Sequence, residues 1–125
     1  MTYLDTNILI WLVSGNLQRI SPKAIKVIQD SNTLLISPIT VLELHYLFEL
    51  KKISQDAGVI TNQLEKAIGL KQCELEFSKI ILKAMQCNWT RDPFDRIITA
   101  QAAHHEAALI TGDQQIQKHY SNVVW

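Results

Sequence analysis

The sequence predicts an α/β fold: a mostly parallel sheet with helices on both faces. Three observations predict it. Short apolar runs alternate with longer stretches of helical periodicity along the whole chain. Three of the helical stretches begin at Ser-Pro or Asp-Pro pairs, which mark capped N-termini. Strands separated by helices need crossover connections, and these bring successive strands parallel. With 125 residues, 47% of them hydrophobic and 19% charged, residues 1–125 fit one domain around one core and lack a disordered composition.

Thr2–Leu4 is a brief strand candidate, and Thr6–Val13 a helix stopped near Ser14-Gly15-Asn16. Ser21-Pro22 starts the next helix, with Ala24, Val27 and Ile28 as its apolar stripe. Leu34–Ile36 is a second strand. Ser37-Pro38 then repeats the start signal for a helix running to about Lys51. Ser54 opens a helix to about Gly69, Lys71–Glu74 is a third strand candidate, and Phe77–Met85 is helical. Asp92-Pro93 opens a helix through about His105. Ala108–Thr111 is a strand running into Gly112-Asp113 and a short helix, and Val123–Trp125 is a last strand candidate. In parallel sheets of this kind ligands bind beyond the carboxyl ends of the strands, so polar residues there are the ones to weigh.

Composition narrows the function classes. Lys plus Arg and Asp plus Glu both number 12, for a formal net charge of +0. A protein that grips nucleic acid by bulk electrostatics carries a basic excess; this one would need a local site, helped by bound cations. Cys73 and Cys87 lack zinc-site spacing, and with no secretory leader at Met1–Asp5 the expectation is a cytoplasmic protein with reduced thiols. No apolar stretch is long enough to span a bilayer. No phosphate loop, nucleophile elbow or Cys/His dyad is visible. The three tryptophans, Trp11, Trp89 and Trp125, are assigned to core or interface.

The informative residues are carboxylates. Asp5 follows the first strand, where it serves equally as an N-cap. Asp92 and Asp95 sit at the N-cap and first turn of the Pro93 helix, where capping and dipole complementarity explain them. Asp113 follows the strand Ala108–Thr111 and could cap the last helix. Glu43 resists a routine explanation. His45, Glu49 and Lys52 define the polar side of its helix, while Glu43 lies nearly opposite among Ile39, Leu47 and Leu50. A carboxylate among core residues needs a partner, and no basic residue lies one turn away. If the strand ends lie side by side, these acids converge and a divalent cation would neutralise them. Oxygen-only ligation suits Mg²⁺ or Mn²⁺ rather than zinc, and carboxylate-held Mg²⁺ is a recurrent apparatus for phosphodiester hydrolysis. Arg91 and Arg96 flank Asp92–Asp95 and could approach phosphate, although Arg96 could as easily pair with an acid.

Leu4-Asp5-Thr6-Asn7-Ile8-Leu9, Leu42-Glu43-Leu44, Asp92-Pro93-Phe94-Asp95-Arg96-Ile97-Ile98-Thr99-Ala100-Gln101-Ala102 and Leu109-Ile110-Thr111-Gly112-Asp113 together resemble the PIN-domain family. Within it, the chain resembles the toxin ribonucleases of type II toxin–antitoxin pairs. Each motif is weak alone; the ordered set spans essentially the whole chain. The resemblance implies a three-layer sandwich and Mg²⁺- or Mn²⁺-dependent endoribonuclease activity. It also implies a homodimer and a cognate antitoxin that occupies the active-site region. The metal route implies products with 5′-phosphate and 3′-hydroxyl ends. Carried over residue by residue, the catalytic and metal-holding acids are Asp5, Glu43, Asp95 and Asp113. Asp92 becomes a cap or supporting group, and Thr6, Asn7 and Thr111 match polar positions beside the acids. Several relatives carry His immediately before Arg-Asp-Pro, where this chain has Thr90. Three other readings compete: a non-catalytic binding module of the same fold, a housekeeping RNA-processing nuclease, and a phosphoacceptor signalling domain. The last would want an acidic pair at the first strand end, where only Asp5 stands, and a Lys where this chain has Asp113.

Overall fold

The computed structural model describes residues 1–125. Five strands form one sheet: β1 Thr2–Leu4, β2 Leu34–Ile36, β3 Lys71–Gln72, β4 Ala108–Ile110 and β5 Val123–Val124. Their order is β3-β2-β1-β4-β5, and every neighbouring pair is parallel. Seven helices connect and cover them: α1 Thr6–Ser14, α2 Pro22–Asp30, α3 Pro38–Glu49, α4 Ala57–Ile68, α5 Phe77–Ala84, α6 Pro93–His104 and α7 Gln114–His119. The chain leaves β1 toward β2 on one side and reaches β4 on the other. The carboxyl end of β1 is therefore the point where strand order reverses.

The two-residue period of the strands assigns the core to two layers. Leu4, Leu34, Ile36 and Ile110 face one side, packing with Ile8 and Leu9 of α1, Ala24 and Ile28 of α2, and Ile60 and Leu64 of α4. Tyr3, Leu35 and Leu109 face the other, against Ile98 and Ala102 of α6 and Ile116 of α7. A third cluster, Ile80, Ala84, Ile97 and Ala100, packs α5 on α6. Burying a side chain such as Leu4 or Ile110 stabilises by about 2 kcal/mol. A one-residue slip of β1 would exchange Tyr3 and Leu4 between layers, so the register is strongly held.

Most expected elements form within a residue or two of their anticipated bounds. Ser21 Oγ accepts from Ala24 N–H at 3.1 Å and Ser37 Oγ from Ile39 N–H at 3.2 Å, the caps that the Ser-Pro pairs announce. α4 begins at Ala57 rather than Ser54, because Asp56 supplies the cap through its carboxylate to Val59 N–H at 2.9 Å. α3 stops at Glu49 rather than Lys51. Its end is closed by Lys52 N–H to Leu47 O and Lys51 N–H to Phe48 O, both 2.9 Å, a pairing that puts Lys51 in the left-handed region at φ 59. Gly15 and Gly69 hold the equivalent conformation after α1 and α4; a lysine there costs roughly 1 kcal/mol more than glycine. A 3-10 turn at Leu17–Arg19 was not anticipated, and β3 and β5 end at Gln72 and Val124, short of the expected Glu74 and Trp125.

Candidate active site

Asp5 leaves β1 in extended conformation, and its backbone N–H donates to Ile110 O at 3.0 Å, continuing the ladder to the end of β4. This puts Asp5 at the reversal point of the sheet, where open parallel sheets present ligand sites. Its side chain is 6% exposed. One carboxylate oxygen accepts from Thr6 N–H at 2.7 Å and the other from the Thr111 hydroxyl at 2.6 Å. The same Thr111 oxygen accepts from Asp113 N–H at 3.0 Å. Thr111 thus ties the ends of β1 and β4 together. Asp113 caps α7 through Ile116 N–H at 2.8 Å.

Between them, Gly112 has no room for a side chain: a Cβ there would lie 2.9 Å from the Trp125 ring. Trp125 in turn packs on Trp11, with ring centroids 6.1 Å apart. Asp92 caps α6 through Phe94 N–H at 2.8 Å, which turns the first helical turn, and Asp95 with it, toward Asp5. Glu43 projects from the second turn of α3 on the side away from exposed His45 and Glu49.

One cleft of about 510 Å³ brings together Asp5, Thr6, Asn7, Glu43, Asp95 and Asp113 from four separate elements. Thr111 lies beneath it through its bond to Asp5. Asp92 is not among the lining residues but stands near enough for its charge to act on Asp5, Glu43 and Asp95. Arg96 is turned elsewhere: its Nε–H donates to Thr90 O at 2.8 Å, bracing the turn before α6. Trp11, which sequence reasoning assigned to core or interface, is the cleft's one apolar wall, and Gln114 and Gln115 complete the rim.

No basic side chain lines the cleft, and the electrostatics follow. Burial, then the neighbouring Asp92, Asp5, Asp113 and Glu43 charges, hold the Asp95 carboxyl up at about 7. Burial is also the largest cause for Glu43, raised to about 7, with Asp5 and Asp92 adding to it. Asp5 is raised by burial against the opposing bonds from Thr111 and Thr6. The Thr6 hydroxyl is near enough to Glu43 to favour its charged form, yet it is buried with no formed hydrogen bond.

As the side chains stand, no three acids close on one point, because Asp5, Asp92 and Asp113 point toward the amides they cap. The chemistry of the cleft nonetheless fits a hard cation. The donors are all oxygen, the negative charge is uncompensated, and a buried hydroxyl lacks a partner. Each carboxylate oxygen keeps a second lone pair beyond its capping bond.

The PIN domain family model matches residues 2–122. Ribonuclease VapC22 of Mycobacterium tuberculosis is 27% identical over 117 residues, covering 93% of this chain and 89% of that protein. A toxin–antitoxin complex from Klebsiella pneumoniae superposes with TM-score 0.67 at 23% identity, covering 100% of this chain and 97% of that one. VapBC2 from Rickettsia felis, solved bound to a DNA fragment from its promoter, superposes with TM-score 0.62 at 20% identity, covering 99% and 96%. At these identities the solved structures establish the fold.

Proposed function

The chain belongs to the PIN-domain family, and from that premise we propose that residues 1–125 are one nuclease domain acting as a divalent-metal-dependent endoribonuclease, the toxin of a type II toxin–antitoxin pair. The observation that carries the proposal is the convergence of Asp5, Glu43, Asp95 and Asp113 in one polar cleft at the reversal point of a parallel sheet. The name of the M. tuberculosis relative, a ribonuclease, supports the substrate class. That the similar structure from Klebsiella pneumoniae is a toxin–antitoxin complex supports a cognate antitoxin partner.

Asp5, Glu43, Asp95 and Asp113 would hold Mg²⁺ or Mn²⁺. Such an ion, when bound, supplies Lewis-acid activation of water and steadies the leaving oxygen. The protein's own part is positional. Thr111 and Thr6 orient Asp5 through both of its oxygens, and Asp92 fixes the helix start that presents Asp95. Attack of water on phosphorus with breakage of the bond to the 3′ oxygen would leave 5′-phosphate and 3′-hydroxyl ends, and without attack by the 2′-hydroxyl no 2′,3′-cyclic phosphate forms. Leu42 and Tyr46 on α3, Leu82 on α5 and Met85 just after it are exposed apolar side chains on or beside the two helices packed against α6; they supply a surface that a second copy would cover in a homodimer. No helix is long and apolar enough to cross a membrane, in keeping with work in the cytoplasm.

The test is cleavage of single-stranded RNA with and without excess chelator, with analysis of the product ends. Cleavage that needs Mg²⁺ or Mn²⁺ and leaves 5′-phosphates is the expected outcome. Activity that persists in chelator, or 2′,3′-cyclic phosphate ends, overturns it. The capping roles of Asp5, Asp92 and Asp113 favour one alternative, a binding module of the same fold without turnover. That module would bind RNA and leave it whole in Mg²⁺ and Mn²⁺ alike.

A further inference from the structure

Resting on the nuclease reading, we propose that the groove between α1 and the α3–α4 turn is the track that holds single-stranded RNA flanking the cleaved phosphate. A polyanion must approach a cleft rich in carboxylates on a chain of net charge +0, so cations near that cleft are required. Arg96, among the basic residues closest in sequence to the acids, has its Nε turned to the Thr90 carbonyl. The groove answers the need. It encloses about 1030 Å³ and shares Trp11 with the acid cleft, so the two openings meet at one side chain. Arg19, Lys51 and Lys52 line it, and none of the three forms an ion pair. Its one acid, Glu49, lies 3.6 Å from His45.

The kinds of side chain favour an unpaired strand. The Arg19 guanidinium lies 4.9 Å over the Trp11 ring, which holds a flat cation at the junction of cleft and groove. Arginine planes and aromatic rings stack on splayed bases, which a duplex keeps inside. Phe48, exposed where Trp11 is half-buried, adds a second ring. Lys51 and Lys52 lie beyond, where they would meet phosphates along the strand. An acidic protein segment would match the charge equally, but the stackable planes of Arg19, Trp11 and Phe48 and continuity with the cleft decide for RNA.

The test measures binding of a labelled, unstructured single-stranded RNA to the full chain in chelator, across a salt series, and cleavage in Mg²⁺. The variants are R19Q and the double K51G/K52Q, with K83Q on α5 as a control that removes the same charge elsewhere. Glycine suits the left-handed backbone of Lys51, so the double variant should melt no lower than wild type, and weakened binding cannot be ascribed to misfolding. For single strands each lost phosphate contact lowers the slope of log affinity against log salt by about 0.7, or about fivefold in affinity at 0.1 M relative to 1 M salt. The double variant should therefore lose about 1.4 in slope and about 25-fold in affinity at 0.1 M salt, and its loss in cleavage should fall on KM rather than kcat. K83Q should match wild type. If wild type cuts RNA and the groove variants keep its slope and KM, the cations serve another anion, an acidic protein segment among them, and the track is refuted while the nuclease reading stands. If wild type neither binds nor cuts RNA, the nuclease reading fails and the track with it.

Discussion

Glu43→Gln separates a core residue from a member of the metal site, and the structure sets the size of the effect. The Glu43 carboxyl is raised to about 7, chiefly by burial and then by Asp5 and Asp92. An acid raised in the folded state favours folding when protonated. That contribution is complete below the ordinary value of about 4 and lost as pH rises through about 7. Without a cation, wild type therefore carries a penalty at pH 8 that is largely absent at pH 5. The full linkage value is about 3 kcal/mol, and because the carboxyl is only partly buried, solvent screening reduces it to about 1 kcal/mol. For a chain of this length, 1 kcal/mol is about 4 °C in melting temperature.

In chelator, Glu43→Gln should thus melt about 4 °C above wild type at pH 8 and nearly level with it at pH 5. In Mg²⁺ the order should narrow or reverse, since ion binding to the native state stabilises wild type more. Activity at pH 8 should fall about 100-fold or more, the scale of losing one catalytic charge. Glu49→Gln, on the exposed side of α3, should change neither the melting temperature nor kcat, any effect of removing an acid from the groove falling on KM. Differential scanning calorimetry at the two pH values and a cleavage assay read all of this. If Glu43→Gln and Glu49→Gln behave alike in both, Glu43 has no part in the site.

Two other outcomes follow from contacts in the loop after β4. Gly112→Ala drives a Cβ to 2.9 Å from the Trp125 ring, so Trp125 must shift from Trp11. Overpacking of this sort costs about 1–3 kcal/mol, and thermal melting should fall accordingly; an unchanged melting temperature would show that the Trp125 contact is soft. Thr111→Val keeps the side chain's shape but removes the hydroxyl that donates to Asp5 and accepts from Asp113 N–H. It should lower stability by about 1–3 kcal/mol and weaken the Mg²⁺-induced rise in melting temperature. A rise equal to wild type's would mean that Asp5 is oriented without Thr111.

What the sequence determined by itself was local. Alternating Tyr3 and Leu4, or Leu34, Leu35 and Ile36, carry the two-residue period that assigns them to opposite layers. Ser21, Ser37, Asp92 and Asp113 cap helices through bonds to residues two or three positions on. These signals were legible because the interacting groups are neighbours in the chain. Glu43 was legible for the same reason, as a charge on the wrong side of its own helix. The resemblance to a family then named Asp95 over Asp92, a choice that spacing alone left open.

Only the tertiary structure decided which distant groups meet. Thr111 bonds Asp5 across 106 positions, and Tyr3 bonds His105 across 102. Trp11 proved to be a wall between the acid cleft and a cationic groove, fixed by Arg19 on one side and Trp125 on the other. Lys51 and Lys52, at the expected end of the third helix, line the same groove as Trp11 once α3 closes at Glu49. The physical reason is common to all four. A side chain's chemistry is written in its identity, but its partner is set by sheet order and helix packing, which sum many weak contacts across the whole chain.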